Sequence, residues 1–139
     1  MTQVRETIEI HASPEDVWAL AGDPGRIGEW VPALAGSTME NGYRACTTQD
    51  GAEIVERVLE HSEEGRYYIY EITNSPLPLR SYRSRLAVDG HGDHSHVSWE
   101  AEFDAESPDL GPELATRFGQ IYREGLTTLR ERLEVAEAA

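Results

Sequence analysis

The sequence predicts an α+β fold in which a curved, seven-stranded antiparallel sheet wraps one long C-terminal helix. Three observations carry that prediction. The last thirty residues read as an amphipathic helix, with Leu114, Phe118, Ile121, Tyr122, Leu126, Leu129 and Leu133 on one arc and Glu113, Gln120, Glu124, Thr127 and Glu131 opposite. The segment before it alternates with period two and is interrupted by turn signals. Those turns are short, which makes neighbouring strands antiparallel. A helix of about 25 residues is ~37 Å long and needs a broad surface to bury its stripe, and only the sheet supplies one.

The elements follow in order. Residues 4–10 read as a strand, with Val4, Ile8 and Ile10 on one face and Thr7 and Glu9 on the other. Ser13-Pro14-Glu15-Asp16 starts a helix: Ser as N-cap, Pro in the first position, and two acids facing the positive end of the helix dipole. Val17, Trp18 and Leu20 form its buried side, and Gly22-Asp23-Pro24-Gly25 breaks it before a second short helix over 26–30. Asn41-Gly42 is a two-residue hairpin signal joining strands at 37–40 and 43–48. Asp50-Gly51, Glu63-Glu64-Gly65 and the Gly90–Asp93 turn separate strands at 53–61, 66–73, 80–88 and 96–104, with a loop at 74–79. Ser107-Pro108 and Gly111-Pro112 are alternative starts for the last helix. With no repeat, low-complexity tract or linker, residues 1–139 are expected to form one domain.

Composition excludes several functions. A formal net charge of −14 argues against nucleic acid or an anionic membrane as partner, since both reward Lys and Arg clusters. All twelve basic residues are arginine, so no lysine Schiff base or lysine general base operates here. Cys46 is the single cysteine, which precludes an internal disulfide and fits a reducing, cytoplasmic setting. No signal peptide or membrane span is expected, because no stretch approaches the ~18 apolar residues a span needs. There is no G-x-S-x-G, no phosphate-cradling glycine loop and no nucleotide fingerprint.

At the level of motifs the chain resembles a known family. The run from Ile8 through His11-Ala12-Ser13-Pro14 to Val17-Trp18 is similar to the opening of the polyketide cyclase/dehydrase and lipid-transport superfamily, the START-like and Bet v 1-like SRPBCC proteins. Asp23 and Trp30-Val31-Pro32 resemble its next signature. Ser75-Pro76-Leu77-Pro78 followed by Tyr82 resembles a bacterial branch of small single-domain members, and Trp99 before Phe103 and Gly125-Leu126-x-x-Leu129 fit the same pattern. The resemblance spans nearly the whole chain in element order and implies the helix-grip fold, with a pocket between sheet and C-terminal helix. It also implies that the 74–79 loop lies at the pocket mouth; two prolines stiffen that loop, so it reads as a lining element rather than a gate.

Alternation on the strands supplies the candidate lining. Tyr68 and Tyr70 share a face with Ile72, Tyr82 with Ser84, and Trp99 with Val97, Ala101 and Phe103. Facing Phe118, Ile121 and Tyr122 of the helix, these aromatics offer large apolar bodies with polar handles, a composition suited to a ligand pocket as well as to a packed core. Trp30 and Leu77 join them as ligand-binding candidates. Gly125, in the helix's apolar arc, either permits a close approach of helix and strand or leaves room for a ligand as part of the same wall. Glu56 and Arg57 are adjacent in one strand, so one of them turns inward. An inward Glu56 is the candidate acid or base, or one half of an ion pair with Arg83 or Arg85. An inward Arg57 instead binds a ligand carboxylate or enolate oxygen. Glu6, in phase with Val4 and Ile8, carries the same ambiguity. His91, His94 and His96 read as a solvated hairpin tip rather than a metal site.

The expected function is binding of a small hydrophobic or aromatic molecule, lipid- or polyketide-like, in a helix–sheet cavity, without metal or cofactor. The first alternative is a cyclase/dehydratase-type enzyme using a cavity carboxylate or Tyr; the second is a protein-interaction module with a filled pocket. The chain is expected to be a monomer or a homodimer.

Overall fold

The alternating segments pair into one antiparallel sheet of β1 (Thr2–Ile10), β2 (Leu34–Glu40), β3 (Tyr43–Thr48), β4 (Glu53–Ser62), β5 (Tyr67–Asn74), β6 (Leu79–His91) and β7 (His94–Ala105). The structure, a computed structural model, describes residues 1–138, and the side chains of His91 and of residues 135–138 lie outside the described residues. Strand order is β1-β7-β6-β5-β4-β3-β2, so the first strand closes beside the last and every other neighbour is a hairpin partner. Between β1 and β2 come α1 (Pro14–Ala21) and a 3-10 turn (Pro24–Glu29); a second 3-10 turn (Pro108–Leu110) leads into the 28-residue α2 (Gly111–Ala138). The result is the helix-grip fold.

Local chemistry explains the boundaries. Asn41 and Gly42 both have positive φ, 53° and 83°, the backbone of a two-residue turn whose twist matches the flanking strands. Ser13 Oγ accepts from the Asp16 amide at 3.2 Å and opens α1. Asp23 accepts from the Gly25 amide at 3.1 Å, so the following 3-10 turn starts at Pro24, two residues before the expected Arg26. Both candidate starts of the last helix are used: Pro108 opens the 3-10 turn, and Gly111 continues it as α2.

Register shifts interrupt the ladders between Val55 and Glu56 and between Val58 and Glu60 on β4, and between Leu79 and Ser81 on β6. Such bulges bend strands, and here they help the sheet curve around α2. The concave face carries the core, including Tyr68, Tyr70, Leu86, Val97, Trp99 and Phe103. The outer face is charged in rows: Glu102, Arg83, Glu71 and Arg57 oppose one another on β7, β6, β5 and β4, with sign alternating from strand to strand. Arg57 therefore points outward, which overturns its candidacy as a ligand contact. Arg83, exposed in that row, and Arg85, which sits over the Tyr67 ring, are not the partners of Glu56.

Candidate functional site

The space between the concave face and α2 is open. It forms a cavity of about 590 Å³, so the reading of a pocket filled by its own side chains does not hold. Phe118, Ile121 and Tyr122 of α2 face Tyr70, Ile72, Tyr82 and Trp99 of the sheet across it. Leu77 and the prolines beside it line it as well, and the exposed Gln49, Asp50, Pro76 and Arg117 form its rim.

Of the expected lining residues, Tyr70, Leu77, Tyr82, Trp99, Phe118, Ile121 and Tyr122 come together on the wall. Trp30, Tyr68 and Phe103 are buried but stand behind it. The Trp30 ring tilts against Trp99 at 5.4 Å, Tyr68 lies 5.8 Å from Tyr70, and Phe103 meets Phe118 edge-on at 5.2 Å. Gly125 also lies off the wall: a Cβ there would stand 3.2 Å from Trp99 Cζ3 and from Val31 Cγ2, so the glycine serves close packing. Glu6 is half-buried between β1 and α2, where it pairs with Arg123 at 3.1 Å, and does not line the cavity. Around His94 and His96, and elsewhere among the described residues, no group of three or more His, Cys, Asp or Glu side chains is placed to hold a metal ion.

At the inner end sits a charge pair. Glu56 faces the cavity, and its Oε1 accepts from Arg44 Nε at 2.6 Å and from Cys46 Sγ at 3.5 Å. Arg44 is fully buried behind the wall; its Nη1 donates to the Pro24 carbonyl and to Tyr68 Oη, both at 3.0 Å, and its guanidinium lies over the Tyr70 ring at 4.5 Å. Burial opposes that charge, but Tyr68 and Glu56 more than offset it and hold the guanidinium well above its ordinary value. Arg44 is the residue that strand alternation missed. The turn signal was present, but a two-residue Asp50-Gly51 turn would set Arg44 opposite Arg57; the hairpin is centred on Asp50 alone, and that register places Arg44 directly opposite Glu56.

Hydroxyls complete the inner wall. Tyr70 Oη lies 3.4 Å from Tyr82 Oη, which in turn hydrogen-bonds Tyr122 Oη. Trp99 Nε1 donates to Tyr70 Oη at 3.2 Å and to Ser84 Oγ at 3.1 Å, while its ring stacks on Tyr122 at 4.1 Å. Burial pushes Tyr70, Tyr82 and Tyr122 well above the ordinary phenol value, so they work as neutral hydroxyls rather than phenolates. Burial, followed by the Glu56 charge, raises the Cys46 thiol from 9.0 to about 12, which removes it as a nucleophile near neutral pH.

Comparison with known proteins places this geometry. The family model for polyketide cyclase/dehydrase and lipid transport matches residues 1–134. The structure superposes on the protein XoxI from Bacillus cereus with a TM-score of 0.91, at 31% identity, covering 99% of each chain. A protein from Thermobifida fusca aligns with a TM-score of 0.84 at 32% identity, over 96% of this chain and 93% of that one. A START superfamily protein from Mycobacterium smegmatis shares the fold with a TM-score of 0.82 at 16% identity, covering 98% and 99%. No sequence among the curated proteins matches. No helix among the described residues is long and apolar enough to cross a membrane.

Proposed function

We propose, for a chain that belongs to the polyketide cyclase/dehydrase and lipid-transport family, that its activity is to bind one small, mostly apolar molecule between the sheet and α2. The observation that carries this is the cavity of about 590 Å³, walled by Ile54, Ile72, Leu77, Phe118 and Ile121 and ending in a small polar cluster. Apolar area leaving water supplies the free energy, at ~25 cal/mol per Å². The tyrosine hydroxyls and Glu56 set the orientation, since few well-placed polar groups suffice in an apolar pocket. N-phenyl-1-naphthylamine, a neutral fluorophore that brightens in apolar surroundings, tests the reading. Saturable enhancement in the wild type, lost when Ile121→Trp fills the cavity, supports it; enhancement that survives the filling contradicts it.

One observation favours a second reading, a cyclase/dehydratase-type proton transfer: the cavity holds a carboxylate, Glu56, with one oxygen that no donor among the described residues reaches. The buried tyrosines stay protonated and cannot serve as bases. Turnover abolished by Glu56→Gln, with probe binding retained, marks an enzyme; probe binding without any turnover marks a carrier or receptor.

A further inference from the structure

Resting on the ligand-binding reading above, we propose that the cavity selects an alcohol or a phenol, whose hydroxyl donates to Glu56 Oε2, and rejects a carboxylic acid of the same shape. Glu56 is only 7% exposed and lines the cavity. Both protein donors, Arg44 Nε and Cys46 Sγ, go to Oε1, and no donor among the described residues reaches Oε2. An ionised carboxylate only accepts hydrogen bonds, so this oxygen is matched by a proton from the occupant.

The cation beside Glu56 is withheld from the ligand. Arg44 stands behind the wall: Nε and Nη1 are committed to Glu56, Pro24 and Tyr68, and Nη2, which has no hydrogen-bond partner among the described residues, is buried with the rest of the side chain and does not reach the cavity surface. The cation that does line the cavity, Arg117, is exposed at the rim, away from the inner end. The hydroxyl cluster tips the balance the same way. Tyr70, Tyr82 and Tyr122 are joined by two hydrogen bonds, which spend two of their three protons within the cluster. Trp99 Nε1 is already engaged by Tyr70 and Ser84. At the cavity surface, one tyrosine proton thus remains to set against the lone pairs of Glu56 Oε2 and the tyrosine oxygens. A hydroxyl group supplies what is missing, whereas a carboxylate has no proton for Oε2 and sets its charge against that oxygen, with the paired Arg44 guanidinium farther off behind the wall.

Three probes with one ring system test this: 1-methylpyrene, 1-pyrenemethanol and 1-pyrenecarboxylate, each titrated into the wild-type protein and followed by pyrene fluorescence. The alcohol is expected to bind ~10-fold tighter than the hydrocarbon, the gain typical of a hydrogen bond to a charged acceptor, and the carboxylate to bind more weakly than the hydrocarbon. Binding of 1-methylpyrene with no advantage for the alcohol overturns the proposal and leaves the cavity as a ligand site. Failure of all three to bind overturns the ligand-binding reading and this proposal with it. In Glu56→Gln the alcohol-to-hydrocarbon ratio should collapse towards one; an unchanged ratio contradicts the assignment. The double variant Arg44→Met/Glu56→Gln removes the stranded guanidinium and reads the same ratio should the single variant not fold.

Discussion

The two halves of α2 present one continuous apolar stripe to the same sheet, yet one half is sealed and the other open. From Gly125 onward the stripe is packed: Leu126 and Leu129 are buried, and Gly125 sits against Trp30, Val31 and Trp99. The same end is tied down by polar contacts, with Arg132 Nη1 donating to the Glu29 carbonyl at 2.8 Å and the Glu134 carboxylate accepting from the His11 amide at 2.9 Å. Toward the N-terminus, Arg117, Phe118, Ile121 and Tyr122 border the cavity instead. Amphipathicity thus sets which face of a helix is buried, and the volumes brought by distant segments decide whether burial means contact or a pocket.

That contrast can be broken experimentally. The largest effect is expected at the charge pair beneath the open half: Arg44→Met leaves Glu56 buried without its counter-charge and should cost about 4 kcal/mol in urea denaturation, with much of it recovered on adding Glu56→Gln. In the sealed half, Leu129→Ala should cost about 3 kcal/mol and lower Tm by about 10 °C, because the neighbours cannot fill the void. In the open half, Ile121→Ala should cost only about 1.5 kcal/mol, since that half-buried side chain already borders empty space. Equal losses at the two positions would refute the contrast.

The smallest effect is alkaline. In the unfolded chain Cys46 ionises near 9.0, whereas in the fold burial and Glu56 raise it to about 12. Its contribution is fully present below pH 9.0 and is lost as pH climbs toward about 12, because the unfolded state sheds its proton first. Wild-type protein should therefore lose stability faster than Cys46→Ala above pH 9.0, by under about 1 kcal/mol around pH 9.5. Parallel curves would contradict the placement of the thiol. The buried tyrosines add to the alkaline decline in both proteins.

Elements whose cause is local were legible in the sequence: the Ser13 cap, the Asn41-Gly42 turn and the stripe of α2 all appear where chain chemistry places them. Alternation correctly grouped Tyr82 with Ser84 and Trp99 with Phe103 on the buried face. It could say only that one of Glu56 and Arg57 turns inward; the choice follows from cross-strand register, which pairs Glu56 with Arg44 and Arg57 with Glu71. Gly125 was ambiguous for a related reason, since Val31, Trp30 and Trp99 reach it from remote segments that no local pattern links. Trp30, Tyr68 and Phe103 illustrate the remainder: residues of one inward face divide between wall and core according to depth, which periodicity does not encode.

The most direct test of a ligand cavity confined to one half of the helix–sheet interface is a methyl-resolved NMR titration with N-phenyl-1-naphthylamine. The methyl signals of Ile54, Ile72, Leu77 and Ile121 should shift together and saturate, while those of Leu126 and Leu129 stay in place. Shifts spread evenly over both sets, or absent from the first, would contradict the account.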